Sequence, residues 1–185
     1  MRVNAQWKRS DARDNRVRIL AAARDALVED GSASLSEIAR RAEVGIGTLY
    51  RNFPTRESLV LEVYRDDLDR LIALAPELLR EHPPLDALQR WLDEVGHYAR
   101  LKYGISEIVH AATNGGLDDP AYDPFVAAIG TLLTAGAKAG ELKPGLDPED
   151  VLLQLSVLWR LDPARHGRDR TDRILRMIID GLKPH

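Results

Sequence analysis

Apolar residues recur every three or four positions along almost the whole chain, and this spacing restricts the possible folds more than any other feature. No run alternates apolar and polar residues with the β-branched enrichment of a strand, and no Asn-Gly turn joins two such runs. Glycine, proline and aspartate divide the pattern into about nine segments of helical length. We therefore expect an all-α protein.

Start and stop signals place the helices. Ser34 and Glu37 have the spacing of a capping box, and Asp147 followed by Pro148 is typical of a helix start. We expect the first helix to end near Val28, the second to begin after Ser34, the third to span about 45–53 and the fourth to run from Thr55 to about Ala75, before Pro76. The remaining five helices are expected at about 85–103, 106–113, 124–139, 148–159 and 171–182. The long fourth helix contains the predicted domain boundary, with residues 1–57 on one side and 58–185 on the other.

Composition limits the classes of protein. Among the 185 residues there is no cysteine, which excludes disulfides, thiolate catalysis and thiolate-bound zinc. No stretch approaches the length of a membrane-spanning apolar segment, and the N-terminus lacks the apolar core of a signal peptide, so we expect a cytoplasmic protein. Residues 1–57 contain 11 Lys and Arg against 8 Asp and Glu, whereas the remainder contains 15 against 21. A polyanionic partner would therefore meet the N-terminal third.

Motifs of catalysis are absent from the sequence. The five histidines form neither an HxxxH nor an HExxH pair, and no G-x-S-x-G or phosphate-binding Walker loop occurs. The "GIG" at 45–47 follows no predicted strand, which excludes a dinucleotide-binding loop. We therefore expect no enzyme activity, no cofactor and no metal site.

The second and third predicted helices are joined by a very tight turn, and the third is only about two turns long. Such a pair is typical of a helix-turn-helix, whose second helix lies in the major groove of DNA and leads with its N-terminal residues. Small residues at a helix start allow close approach to another surface and leave N–H groups facing a phosphate. Hydroxyls at Thr48 and Tyr50 and charge at Arg51 could bind phosphates, while Leu49 and Phe53 face the core.

The stretch "SLSEIARRAEVGIGTLYRNFPTRESL" resembles the DNA-binding signature of the TetR/AcrR family of bacterial transcriptional regulators, and the resemblance covers about residues 16–62. It implies a three-helix helix-turn-helix domain, joined by a long helix to a C-terminal helical bundle that binds a ligand and dimerises. It implies phosphate contacts by Thr48, Tyr50 and Arg56, base-facing positions at Ile46 and Gly47, and a possible base contact from Ser36. Arg13 and Arg16 would touch phosphate or the minor groove. The predicted DNA-binding set is Arg13, Arg16, Ser36, Gly45, Ile46, Gly47, Thr48, Tyr50, Arg51, Asn52 and Arg56.

Three positions depart from the family pattern. Gly45 replaces the usual Ser or Thr cap of the third helix, at a cost of only a few tenths of a kcal/mol. Asn52 replaces a common histidine. Glu43 occupies a turn position usually held by glycine, where a positive φ would be mildly strained and a negative charge unfavourable near DNA. We expect normal folding with weaker non-specific affinity for DNA.

The resemblance also implies a homodimer formed by the last two helices, a pseudo-palindromic double-stranded DNA operator, and a small-molecule effector inside the C-terminal bundle. The predicted interface residues are Leu155, Leu158, Ile174, Met177 and Ile178. The predicted cavity walls are Trp91, Tyr98, Phe125 and Trp159, with His97, His110 and Arg160 as polar anchors. The leading expectation is a repressor released by its ligand. Alternatives are a DNA-binding activator or structural factor without an effector, and a helical enzyme or scaffold with a vestigial DNA-binding domain.

Overall fold

The computed structural model describes residues 3–112 and 119–184, and within these ranges it contains helices and no strand. The prediction of an all-α protein is confirmed. The helices are α1 (Val3–Glu29), α2 (Leu35–Arg41), α3 (Ile46–Asn52), α4 (Arg56–Glu81), α5 (Pro84–Gly104), α6 (Ser106–Ala112), α7 (Tyr122–Lys138), α8 (Pro148–Leu155), a 3₁₀ segment (Ser156–Arg160) and α9 (Pro163–Leu182). We call α1–α3 the head and α5–α9 the body. The predicted end of the sixth helix near residue 113 lies outside the described residues.

The predicted capping box of α2 is half correct. Ser34 caps the helix, because its hydroxyl accepts a hydrogen bond from the Glu37 N–H at 3.2 Å. The Glu37 carboxylate instead accepts from the guanidinium of Arg41 at 2.7 Å, one helical turn further on. A charge-assisted bond of this kind is stronger than a bond to a neutral backbone N–H, so the carboxylate turns along the helix.

The turn between α2 and α3 is tight. Glu43 has a φ of 54°, the left-handed conformation predicted for this position. The N–H of Val44 then bonds back to the carbonyl of Ala39 at 3.0 Å. Gly45 is the N-cap of α3 and offers no side-chain cap, while Phe53 ends the helix and is buried. The turn thus fixes the direction in which the short α3 leaves α2.

The prediction that the fourth helix ends near Ala75 is wrong, because α4 contains Pro76 and continues to Glu81. Thr55 and Ser58 form a reciprocal capping box at its start. A proline inside a helix removes one backbone hydrogen bond and costs about 3 kcal/mol. Ala75 and Leu78 are buried on either side of Pro76, and α4 packs against both α5 and α7. This burial keeps the segment helical.

Two predicted boundaries in the body also differ. The predicted helix after Pro148 changes to the 3₁₀ segment at Ser156, while Asp147 caps it as expected. The last helix begins at Pro163 with Asp162 as its cap, earlier than the predicted Thr171. Gly167 interrupts it with a φ of 63°. The segment before Thr171, which the sequence pattern predicted as a loop, is therefore helical from Pro163 and is interrupted at Gly167.

Candidate nucleic-acid interface and C-terminal cavity

Helix α3 has two distinct faces. Leu49 is fully buried in the head, and Phe53 at its end is buried as well, as predicted. Ile46 is 43% exposed and Tyr50 is 50% exposed, although both carry large apolar groups. The two side chains lie four residues apart, on one face of α3. Ile46, Gly47 and Tyr50, three of the predicted DNA contacts, therefore lie on the exposed face of α3.

The two glycines of this face are not required by the packing of the protein itself. A Cβ built on Gly45 or on Gly47 meets no other heavy atom within 4 Å. Neither glycine has a positive φ. Their lack of a side chain keeps the start of α3 open to close approach by another molecule.

Polar side chains of α3 lie along the helix. Arg51 donates to the carbonyl of Gly47 and to the hydroxyl of Thr48, both at 3.1 Å. Asn52 donates to the carbonyl of Thr48 at 2.9 Å. Arg51 is exposed, so its guanidinium lies at the surface beside Thr48. Arg13 on α1 and Ser36 on α2 are exposed as well.

Two of the predicted phosphate-binding arginines have partners inside the protein. Arg16 pairs with Glu62 of α4, and its guanidinium carbon lies 4.8 Å from the centre of the Phe53 ring. Arg56 donates to the carbonyls of Gly31 and Ala33 in the loop after α1. The sequence did not predict these structural roles, because each joins elements that are distant along the chain. DNA contacts by these two residues stay predictions.

A partly open cavity of about 470 Å³ lies between α4 and the part of the body formed by α5, α7, α8 and the 3₁₀ segment. Tyr98, Phe125 and Trp159 line it, as predicted. The other lining residues are Tyr64, Leu68, Lys102, Asp119, Ala121, Tyr122, Glu149, Asp150, Leu152, Leu153 and Ser156. This volume lies within the range of small-molecule sites in proteins.

Four of the predicted ligand residues lie outside this cavity. Trp91 is fully buried behind Phe125, with ring centres 5.3 Å apart, and its indole N–H bonds to the carbonyl of Leu71. His97 lies on a different concave surface, between α1, α4 and α5. The side chains of His110 and Arg160 are exposed and line no part of the cavity. Helical spacing placed these residues in the body without fixing which face of each helix meets the cavity.

Three polar residues of the cavity were missed by the sequence reasoning. The ammonium of Lys102 lies 5.1 Å from the ring centre of Trp159, 5.6 Å from that of Tyr64 and 5.9 Å from that of Tyr98. The hydroxyl of Tyr64 donates to a carboxylate oxygen of Asp119. Burial lowers the pKa of Lys102, and burial together with the bond to Asp119 raises the pKa of Tyr64. The spacing of four between Tyr98 and Lys102 was the available signal, since it places both on one face of α5.

The predicted dimer residues divide into two groups. Leu155 and Leu158 are buried in the core of the protomer and have no surface left for a partner, so their prediction is corrected. Ile178 is buried and Ile174 half-buried. Met177 is 73% exposed, as an interface residue of a separated protomer would be. Leu153 and Val157 are also exposed and were not predicted.

Residues 3–112 and 119–184 hold no group of three or more histidine, aspartate or glutamate side chains placed to share a metal ion. None of the helices described there has the length and apolar character needed to cross a membrane.

Comparisons with known proteins agree with this architecture. A family profile described as "Bacterial regulatory proteins, tetR family" matches residues 19–63, and one described as "Transcriptional regulator SbtR-like, C-terminal domain" matches residues 83–184. A TetR transcriptional regulator from Streptomyces coelicolor is 37% identical, with a TM-score of 0.79 over 91% of this chain and 98% of that one. A TetR regulator from Mycobacterium vanbaalenii is 32% identical, with a TM-score of 0.75 over 95% and 99%.

A curated relative, an HTH-type transcriptional regulator of Staphylococcus aureus (strain USA300), is 29% identical over 109 residues. That match covers 57% of this chain and 59% of the relative, so the chain spans about three-fifths of the length of the curated relatives that it matches. The profile matches to both parts of the chain and the two solved structures above 30% identity show the family. The chain therefore belongs to the TetR family of bacterial transcriptional regulators.

Proposed function

We propose that this chain is a sequence-specific DNA-binding repressor that acts as a homodimer and leaves its operator when a small molecule fills the cavity of the body. In this proposal residues 1–57 read DNA, and residues 58–185 bind the ligand and dimerise. The observation that carries it is the division of α3, which buries Leu49 and leaves Ile46, Gly47 and Tyr50 facing solvent.

The outer face of α3 would enter the major groove. Ile46 would meet a thymine methyl, the apolar feature of that groove, and Gly47 would allow the backbone to approach the bases. Tyr50 and Thr48 would hold phosphates through their hydroxyls. An Ile–Gly pair supplies no bidentate base contact, so specificity would come also from Arg51, Ser36 and the shape of the DNA.

Exposed apolar residues on the last helices of the chain support dimerisation. Leu153, Val157 and Met177 present apolar side chains on α8, the 3₁₀ segment and α9. A twofold dimer would hold two α3 helices about 34–36 Å apart, which matches one turn of DNA and a pseudo-palindromic operator.

Helix α4 is the element that would transmit ligand binding to the head. It supplies Tyr64 and Leu68 to the cavity wall, and it begins at Arg56, which bonds to the head loop after α1. A ligand that prefers the spacing of the heads in which DNA cannot bind would lower DNA affinity, with a typical coupling of about 1–3 kcal/mol.

Selection of bound sequences from a random DNA library at near-physiological salt tests the DNA-binding part. We expect an enriched pseudo-palindrome, and we expect Tyr50→Ala to weaken binding to all sequences alike while the protein stays folded. Lys138→Ala, at an exposed position of α7, is the matched control and should bind normally. If the wild-type chain enriches no sequence over a Tyr50→Ala sample, the chain does not read DNA by this face.

Release is tested separately with the selected operator. Fluorescence anisotropy of labelled operator DNA during a small-molecule screen should identify compounds that free the DNA and also raise the melting temperature of the protein alone. A protein that binds the operator but is released by no compound that stabilises it would instead fit the alternative of an activator or structural DNA-binding factor without an effector.

A further inference from the structure

We propose that the cavity binds an organic monoanion, a carboxylate on an apolar body, whose charged end is held by Lys102 and the hydroxyl of Tyr98. This inference rests on the proposed ligand-release function, because it names the chemical class of that ligand. Four observations of the cavity carry it.

Lys102 is a half-buried cation that forms no salt bridge within the part of the chain that the structure describes. Its ammonium lies among the rings of Tyr64, Tyr98 and Trp159, and no carboxylate of the described residues lies within salt-bridge distance of it. Cation–π contacts offset part of the cost of removing an ammonium from water, but burial still lowers the pKa of Lys102. A ligand carboxylate at this position would add a direct salt bridge and replace hydrogen bonds that the ammonium otherwise makes to water.

Tyr98 offers a second donor beside it. Its side chain is 4% exposed and lines the same cavity four residues before Lys102 on α5. The buried Tyr98 oxygen lies within hydrogen-bond geometry of no described group. Burial raises the pKa of Tyr98, and its interaction with the neighbouring Tyr64 raises the pKa further. Because the Tyr64 hydroxyl donates to Asp119, Tyr98 is the donor of the two tyrosines, and a ligand oxygen beside it would compete with Tyr64 for the Tyr98 hydrogen. An ammonium and a phenol that both donate are complementary to a carboxylate.

Asp119 keeps its negative charge and acts on Lys102 from a distance, but both of its oxygens accept hydrogen bonds from other groups. One accepts the Tyr64 hydroxyl and the other accepts the N–H of Ala121 at 3.0 Å. These bonds hold the carboxylate at the wall. A ligand oxygen can therefore meet Lys102 and Tyr98 without displacing an existing ion pair.

The other residues that line the cavity determine the character of the ligand beyond its carboxylate. Leu68, Phe125, Leu152 and Trp159 offer apolar surface to an aromatic or alkyl body. Glu149 and Asp150, in the exposed first turn of α8, also border the cavity. Their charge repels a negative group at this edge of the cavity, so the carboxylate of the ligand has to lie at Lys102 and a second negative group is disfavoured. A cationic ligand is disfavoured because Lys102 already occupies the space between the rings.

Calorimetry with two matched series of compounds tests the class. The first series is indole-3-acetate, indole-3-acetamide and tryptamine, and the second is octanoate, octanamide and octylamine. We expect at least one acid to bind below about 1 mM and to bind at least about tenfold more tightly than its amide and its amine. An amide or amine that equals its acid, or the failure of both acids to bind at this concentration, would overturn the assignment.

Variants of the anchors locate the binding. Lys102→Met should lower the affinity for the acid at least about tenfold, and Tyr98→Phe should lower it several-fold. Lys138→Met, at an exposed position of α7, should leave the affinity unchanged. Without ligand, Lys102→Met should raise the melting temperature by about 2 °C or more, because it removes a half-buried charge that forms no salt bridge with the described residues. A fall in melting temperature would mean that Lys102 holds the fold and is not kept for a ligand.

Failure of this inference can be distinguished from failure of the proposed function. Acids that bind through Lys102 but leave operator affinity unchanged would keep the ligand class and reject release. Release of DNA by neutral or cationic compounds, with no binding of the acids, would keep release and reject the ligand class.

Discussion

Gly31, after the end of α1, and Gly104, at the end of α5, meet backbone to backbone. A Cβ built on Gly31 would lie 2.6 Å from the carbonyl oxygen of Gly104 and 2.9 Å from its Cα. The carbonyl of Gly31 also accepts a hydrogen bond from Arg56, the first residue of α4. The loop that ends α1 is therefore held between the first turn of α4 and the last turn of α5, which makes it a direct contact between head and body.

Gly31→Ala should disturb this contact, because the close atoms belong to the backbone of Gly104 and cannot rotate away. We expect a loss of about 1–3 kcal/mol in the free energy of unfolding, typical of overpacking. We also expect weaker binding of operator DNA, since the head must shift relative to the body. Urea unfolding and fluorescence anisotropy measure the two effects.

Gly181→Ala is the matched control for this substitution. Gly181 lies in α9, and a Cβ there meets nothing within 4 Å. Alanine should leave stability unchanged or raise it by up to about 1 kcal/mol, as expected for a glycine in a helix. If both variants behave alike, the Gly31–Gly104 contact does not constrain the head.

Gly47→Ala should separate stability from function. Gly47 is helical and its Cβ position is open, so alanine should raise the free energy of unfolding by about 0.5–1 kcal/mol. The added methyl would face the DNA bases, so we expect operator affinity to fall although the protein is more stable. Thermal unfolding and anisotropy at one salt concentration provide both values. A variant that is more stable and binds equally well would mean that this face does not approach the bases.

The head could be predicted from the sequence because its information is local. Leu49 and Phe53 lie four residues apart, and the tight turn at Glu43 and the cap at Ser34 are signals within a few residues of the structure that they set. The contacts of Arg16 and Arg56 could not be predicted, because local sequence signals do not reveal contacts between residues that are distant in the chain. Their partners Glu62 and Gly31 are 46 and 25 residues away in the chain.

In the body and in α4, tertiary packing overrides local sequence signals. A proline predicts a helix end, yet burial of Ala75 and Leu78 carries α4 past Pro76. Lys102 resembles a solvated lysine in the sequence, and only the packing of α4 and the 3₁₀ segment against α5 encloses it with Tyr64 and Trp159. The predicted polar anchors His97, His110 and Arg160 do not line the cavity, because residue type does not reveal which face of a helix meets a cavity.

Arg24 and Asp67 form a half-buried ion pair that joins α1 to α4, and Asp66 extends it. Arg24→Met would leave Asp67 buried without its main partner. A fully buried pair loses about 3–5 kcal/mol in this way, and since Arg24 and Asp66 are partly exposed we expect about 1–3 kcal/mol. Urea unfolding at pH 7 measures it, and Arg70→Met, at an exposed position 3.8 Å from Asp67, should cost far less.

Asp67→Asn should become more stable relative to wild type as the pH rises, in contrast to the loss of stability expected for Arg24→Met. Burial raises the pKa of Asp67 above its usual 3.8, despite the attraction of Arg24. The folded protein then binds more protons than the unfolded chain between these two pKa values, so wild-type stability falls as pH rises through that window. The asparagine variant lacks this loss. Its stability relative to wild type should therefore rise from pH 3 to pH 7, and a relative stability that falls over this range would contradict the assignment.

Met177→Glu should prevent dimerisation without unfolding the protomer. Met177 is 73% exposed on α9, so a glutamate is well solvated in the monomer, but it would be buried without a partner in an interface that also covers Leu153 and Val157. Sedimentation velocity should show a dimer for wild type and for Met177→Leu, and a monomer for Met177→Glu with an unchanged melting temperature at low protein concentration. Because each protomer would then bind a half-site alone, operator affinity should fall steeply. A Met177→Glu protein that stays dimeric would place the interface on another face of the body.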